Sequence, residues 1–111
     1  ENSPDTRNSK VEDIINRLKQ FSIIPLVVDP WVSEKDKIDK YGITLTNIEK
    51  IADVDCIILA VAHNIFKSMT LDDIDILYKN TNHNDEKILI DVKGILNYHE
   101  VKERGYRYWR L

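Results

Sequence analysis

Arg7 stands just ahead of an amphipathic helix, and that placement suits an anion. The helix opens with Ser9-x-x-Glu12, a capping-box pattern in which the hydroxyl accepts the backbone N–H three residues on and the glutamate accepts the cap's own N–H. Free N–H groups and the helix dipole at such a start favour negative charge. An arginine beside them can hold a pyrophosphate bidentately, because its fork matches the oxygens; an exposed arginine paired with Asp5 or solvent is the bland alternative. Lys93 and Gly94 follow residues 87–92, at the C-terminal end of an expected buried strand, where ligands of open α/β sheets collect. Lys93 is there either a ligand contact or a solvated lysine. His63 follows the run 56–61 in the same way, and either lines the same crevice or caps the next helix.

Other residues invite chemistry that their context does not support. Asp29 ends an apolar stretch, as does an acid that holds a dinucleotide ribose. That role requires a glycine-rich turn about 20 residues earlier. The three glycines, Gly42, Gly94 and Gly105, form no such turn, so Asp29-Pro30 reads as a structural turn. Cys56 lies inside an apolar run, where a thiol has a raised pKa and behaves as a small hydrophobe; core packing is expected. His63, His83 and His99 share no metal-ligand spacing, and no metal site is expected. The acids Asp72, Asp73 and Asp75 read as a helix start favouring negative charge.

These residues need elements to position them. Val11, Ile14, Ile15, Leu18 and Phe21 recur at helical spacing, with Glu12, Asn16, Lys19 and Gln20 outside. Leu26-Val27-Val28 reads as a buried strand after Pro25, ended by Asp29-Pro30. Ser33 to Asp36 can cap a short helix that Gly42 terminates. Residues 43–46 read as a short strand and 47–52 as a helical turn. The run 56–61 is apolar throughout, as in a parallel strand covered on both faces. Thr70-x-x-Asp73 opens a helix with Leu71, Ile74, Leu77 and Tyr78 inside, and 80–86 is a polar loop. Residues 87–92 form another buried strand, Asn97-x-x-Glu100 caps a helix ending at Gly105, and 106–111 alternate as a final strand. Strands alternating with helices imply βαβ crossovers and an α/β layered fold.

Composition excludes several classes. A chain of 111 residues with 42% hydrophobic and 32% charged residues is an ordinary globular domain. A net charge of −3 gives no general attraction to nucleic acid. No apolar run approaches the ~20 residues of a membrane helix. The opening residues carry no signal-peptide pattern, and a lone cysteine cannot make an internal disulfide; a cytoplasmic setting is the expectation.

Several blocks, in order and with fitting spacing, carry a resemblance. Asp5-Thr6-Arg7-x-Ser9 resembles the Asp-x-Arg-x-Ser turn that starts the C-terminal nucleotide-binding domain of the UDP-glucose/GDP-mannose dehydrogenase family. Residues 28–32 resemble that domain's strand-end Asp-Pro, 55–63 with Phe66-Lys67 its fourth-strand block, and 90–94 the block after its fifth strand. Tyr108-Trp109-Arg110-Leu111 is similar to the ending of some members, and the Ala-Val-Ala-His and Asp-Val-Lys-Gly variants to members acting on UDP-N-acetylhexosamines.

The resemblance implies a Rossmann-like parallel sheet with helices on both faces, apparently lacking its first strand, in a fragment of a larger enzyme. It implies that Arg7 reaches an NAD bound mainly by an N-terminal domain, and that Lys93, Gly94 and His63 face the UDP half of a UDP-sugar. Some members carry a second basic residue where this chain has Gly94. The whole enzyme would oxidise a sugar C6 alcohol to a carboxylate for polysaccharide biosynthesis. Its catalytic cysteine lies outside this chain, which alone would be inactive. The partners implied are the rest of the polypeptide and a second subunit. A central gap between the strands at 26–28 and 56–61 would then need closing by direct pairing, by the N-terminal segment or by another chain. Two rival readings are a receiver-like signalling module, which also places a lysine after its fifth strand but needs an acidic Mg²⁺ cluster, and a purely structural subunit-contact domain.

Overall fold

The computed structural model describes residues 9–30, 45–80 and 82–111. The turn at 3–8 with Arg7, the Ser9 hydroxyl, and the helix and Gly42 stop expected within 31–44 lie outside the described residues. The chain divides into two compact units, one comprising Ser3–Ile51 and the other Ala52–Leu111.

In the first unit, α1 spans Ser9–Gln20. Ile15 is buried, Val11, Ile14 and Leu18 are half-buried, and Glu12, Asn16 and Gln20 are exposed, as the spacing predicts. Phe21 departs from the stripe: it is 64% exposed, past the helix end, with the Arg17 guanidinium 5.1 Å from its ring centre. The helix closes by a paired turn, Ser22 N donating to Lys19 O (2.9 Å) and Ile23 N to Leu18 O (2.9 Å). This geometry puts its C′ residue in the left-handed region, where glycine is usual; here it is Ser22, at φ 61°. The expected buried strand at 26–28 is not formed. A single parallel bridge joins Val27 to Leu45, Thr46 N donating to Val27 O (2.8 Å), and Leu26 is exposed. Three apolar residues are too short a run to hold a ladder without a longer partner. The turn expected at 47–52 is a 3₁₀ turn at Ile48–Lys50.

The second unit carries the sheet. β1 (Cys56–Leu59), β2 (Ile88–Asp91) and β3 (Arg107–Arg110) are parallel in the order β1-β2-β3. Leu59 pairs with Asp91 in register, and Asp91 with Arg110. Parallel neighbours need crossovers. These are α2 (Asn64–Lys67) with α3 (Leu71–Asp75) between β1 and β2, and α4 (Tyr98–Arg104) between β2 and β3. The α/β fold with a parallel sheet is the one the alternation predicts.

Each crossover helix starts where its capping residues place it. Thr70 and Asp73 form a reciprocal capping box (Thr70 N to Asp73 Oδ2, 2.9 Å; Asp73 N to Thr70 Oγ1, 3.1 Å). Glu100 N donates to Asn97 Oδ1 (3.1 Å), and Gly105 ends α4 at φ 86°. The core beneath the sheet is Leu59, Ile74, Tyr78, Leu89, Leu96, Val101, Tyr106 and Tyr108. Burying one such aliphatic side chain contributes roughly 2 kcal/mol. β1 is shorter and more open than expected: among its residues only Leu59 is buried, and Cys56 is exposed rather than packed in a core. β1 forms an edge of the sheet among the described residues, so its first residues have one neighbour. The Cys56 thiol is nonetheless pushed up from its ordinary pKa, first by partial burial and then by the adjacent Asp55.

Two backbone positions test this account with opposite signs. A Cβ on Gly105 would meet nothing within 4 Å, so Gly105→Ala costs only left-handed strain, about 1 kcal/mol. Ser22→Gly relieves the same strain and should stabilise α1 by a similar amount. Amide hydrogen exchange in the last turns of α4 and α1 should show faster and slower opening respectively.

Candidate functional site at the C-terminal edge of the sheet

Parallel strands all deliver their C-terminal ends to one edge, and the loops leaving that edge carry the predicted site residues. His63 lies four residues past the end of β1, and Lys93 and Gly94 lie two and three past the end of β2, the adjacent strand. The two strand ends are tied directly, Val92 N donating to Leu59 O (3.0 Å). Three of the four predicted site residues therefore share one edge. Arg7 lies outside the described residues.

The turn bearing Lys93 and Gly94 is built around Asp91. This carboxylate is fully buried, and its oxygens accept from Ile95 N (Oδ1, 3.0 Å), Leu96 N (Oδ2, 3.0 Å) and the Tyr108 hydroxyl (Oδ2, 2.7 Å). Gly94 N closes the turn on Asp91 O (3.3 Å) at φ 65°. Burial pushes the Tyr108 phenol up from its ordinary pKa; Arg110 opposes that shift and Asp91 adds to it. The phenol therefore stays a proton donor to Asp91 while accepting from Arg110 Nε (2.9 Å). Sequence reading missed Asp91, Tyr108 and Arg110. An aspartate ending an apolar run and followed by a glycine three residues on was the available signal.

His63 takes the capping role that was one of its two readings. Its Nδ1 accepts from Ile65 N (3.0 Å), it is buried, and its ring meets Phe66 edge-on at 6.0 Å. The cap fixes the ring at the sheet edge with Nδ1 already used. Any direct ligand contact is then limited to Nε2 or the ring face.

The acidic run serves three separate purposes rather than a single helix-start charge. Asp73 is the cap described above, Asp72 pairs with Arg104 (2.6 Å), and Asp75 pairs with Lys87 (2.7 Å). Lys87 is buried at the opposite, N-terminal end of β2. Its ammonium also donates to Asn84 Oδ1 (3.0 Å) and lies 5.7 Å from the ring centres of both Tyr78 and Tyr106. The Tyr106 hydroxyl donates to the same Asp75 oxygen. Hydrogen bonds from Lys87 and then Tyr106 hold the Asp75 carboxyl below its ordinary range. This network is a satisfied structural cluster at the other end of β2 from Lys93 and Gly94.

An open cleft of about 790 Å³ lies between the α2–α3 connection and α4, lined in part by Asp72, Glu100, Glu103 and Arg104. Its acids outnumber its cations, Lys67 and Arg104, which suits a phosphate poorly, and none of His63, Lys93 or Gly94 lines it. Among the described residues, no group of three or more His, Cys, Asp or Glu is placed to hold a metal ion. No helix among them is long and apolar enough to cross a membrane. Nor do they include a glycine-rich turn fit to cradle a dinucleotide: Gly94 closes the Asp91 turn and Gly105 ends a helix.

Residues 1–98 match the UDP binding domain of the UDP-glucose/GDP-mannose dehydrogenase family. The chain belongs to this family. It is 43% identical to a UDP-N-acetyl-D-glucosamine 6-dehydrogenase of Pseudomonas aeruginosa over 97 residues, 87% of the chain and 22% of that relative. Protein CapL of Staphylococcus aureus is 32% identical over 111 residues, 100% of the chain and 24% of CapL. A UDP-N-acetyl-D-mannosamine dehydrogenase of Methanococcus vannielii is 31% identical over 107 residues, 96% of the chain and 23% of that enzyme. The chain thus spans about a quarter or less of the length of these relatives. No solved structure gives a significant match. Within the domain so identified, the turn at 91–96 falls inside the matched stretch, and β3, which supports it, falls beyond it.

The paired clusters at the two ends of β2 give a pH test. Asp75 has a lowered folded-state pKa, so its contribution is complete above the unfolded carboxylate value of about 4 and is lost as pH falls through the folded value. Stability measured by urea denaturation should drop on acidification below about pH 4.5, and Asp75→Asn should flatten that drop. Asp91→Asn, which leaves donors facing an amide, should cost about 2–4 kcal/mol at neutral pH in the same assay.

Proposed function

We propose that this domain binds the UDP moiety of a UDP-N-acetylhexosamine within a nucleotide-sugar 6-dehydrogenase. The observation that carries the reading is the convergence of His63 and the Lys93–Gly94 turn on the C-terminal edge of adjacent parallel strands. Family membership and relatives named as dehydrogenases of UDP-N-acetyl-D-glucosamine and UDP-N-acetyl-D-mannosamine support the substrate class. In this reading Lys93 supplies a cation to the diphosphate. Gly94, which carries no side chain, lets the ligand approach the Asp91-held turn closely. His63 walls the site from the neighbouring loop.

The complete enzyme, on this proposal, oxidises the C6 alcohol of the sugar to a carboxylate with NAD as oxidant. The dinucleotide is assigned mainly to the remainder of the polypeptide, with Arg7 reaching it, and so is the catalytic nucleophile. The domain by itself is inactive. Cys56 is not offered as that nucleophile: its thiol pKa is raised, the opposite of what an attacking thiolate needs. A homodimeric cytoplasmic enzyme making precursors for a surface polysaccharide completes the reading.

An amide-resolved NMR titration tests it. UDP should shift the signals of His63, Lys93 and Gly94 while NAD leaves them in place, and Lys93→Ala should weaken UDP binding about tenfold. Saturating UDP that moves none of those amides would remove the proposal.

A further inference from the structure

We propose that Arg110, on the last strand, is a second cation of the diphosphate site, held beside Lys93 by β3. This rests on the nucleotide reading above. Register places Arg110 opposite Asp91, so the end of β3 lies next to the turn that carries Lys93 and Gly94. The guanidinium packs against that turn: a Cβ on Gly94 would meet the Arg110 guanidinium carbon and Nε at 3.7 Å. A Cβ there would rest in ordinary van der Waals contact with the guanidinium, and what favours glycine at 94 is its φ of 65°.

The side chain is also oriented in advance. Nε donates to the Tyr108 hydroxyl (2.9 Å), and Nη2 donates to the carbonyls of Leu96 and, at 3.4 Å, Gly94. The Tyr98 and Tyr108 rings lie 5.9 and 6.0 Å from its central carbon. These hydrogen-bond acceptors are all neutral. The nearest acid in the network, Asp91, already accepts two backbone N–H groups and the phenol. Among the described residues, Arg110 thus reaches the sheet edge with its charge uncancelled by a direct carboxylate bond. Nη1 carries two further N–H groups on an exposed side chain. A planar cation so fixed suits phosphate oxygens, and little rotamer freedom remains to be lost on binding.

The test uses the full chain. In the wild type, the Arg110 Nε–H resonance should shift on addition of UDP and stay in place with uridine, which lacks phosphate. In calorimetric titrations, Arg110→Gln keeps N–H donors without charge and should bind UDP about tenfold more weakly, whereas Arg110→Lys, which keeps the charge and loses the fork, should bind between Gln and wild type. The Gln penalty should shrink when UMP replaces UDP. Wild-type chain that fails to bind UDP removes the nucleotide reading itself. UDP binding with an unmoved Arg110 resonance, or with Arg110→Gln as tight as wild type, overturns the role of Arg110 and leaves that reading standing. Equal losses for Lys and Gln would show packing alone and overturn it too. Should Arg110→Gln not fold, the wild-type resonance and Arg110→Lys still decide.

Discussion

The buried carboxylate of Asp91 is the constraint on which the C-terminal edge of the sheet depends. Removing such a charge from water costs several kcal/mol unless its lone pairs are met. Here they are met by two backbone N–H groups of the following turn and by the Tyr108 phenol. That solution has a geometric consequence. The 92–96 turn cannot relax without stranding the charge, and Tyr108 cannot leave without doing the same. The turn conformation and the docking of β3 are therefore one cooperative event, and the position of Lys93 is inherited from both.

The two ends of β2 are treated oppositely. At the N-terminal end, Lys87 is buried and enclosed by Asp75, Asn84, Tyr78 and Tyr106, so its charge is spent inside the protein. At the C-terminal end the buried group is the anion, Asp91, and the Arg110 guanidinium is exposed beside the turn. A single four-residue strand thus has a buried cation compensated at one end and a buried anion compensated at the other. Net charge of the chain, which is negative, conceals this local arrangement.

What the sequence made legible follows from how local each signal is. Caps are read within four residues, and Thr70, Asp73, Asn97 and Gly105 all act as their types and spacing predict. Long apolar runs gave β1 and β2, while the three residues at 26–28 gave only one bridge, because strand formation there needs a partner that no local pattern specifies. Cys56 was misplaced for a related reason: apolar neighbours imply burial only if both sides of the strand are occupied, and β1 is an edge among the described residues. His63 carried two readings that residue type alone could not separate; the 3.0 Å bond from Ile65 N fixes it as a cap. Asp91 carried a local signal, its place at the end of an expected strand three residues before a glycine, whereas the roles of Tyr108 and Arg110 lie in contacts across 17 and 16 residues of chain, from Tyr108 to Asp91 and from Arg110 to Gly94.

That distance bears on how the family's site is recognised. The matched stretch ends at residue 98, so it contains the turn and not the strand that braces it. A pattern of ligand-facing residues can persist while the support beneath it is supplied by different side chains, since an anion senses where a cation sits and not which segment delivers it. In this chain the room left by Gly94 is taken by the Arg110 guanidinium from the neighbouring strand. Gly94 meets the turn's need for a φ of 65°, and the Arg110 guanidinium packs beside it from β3. That cation in turn is held by the same phenol that satisfies Asp91.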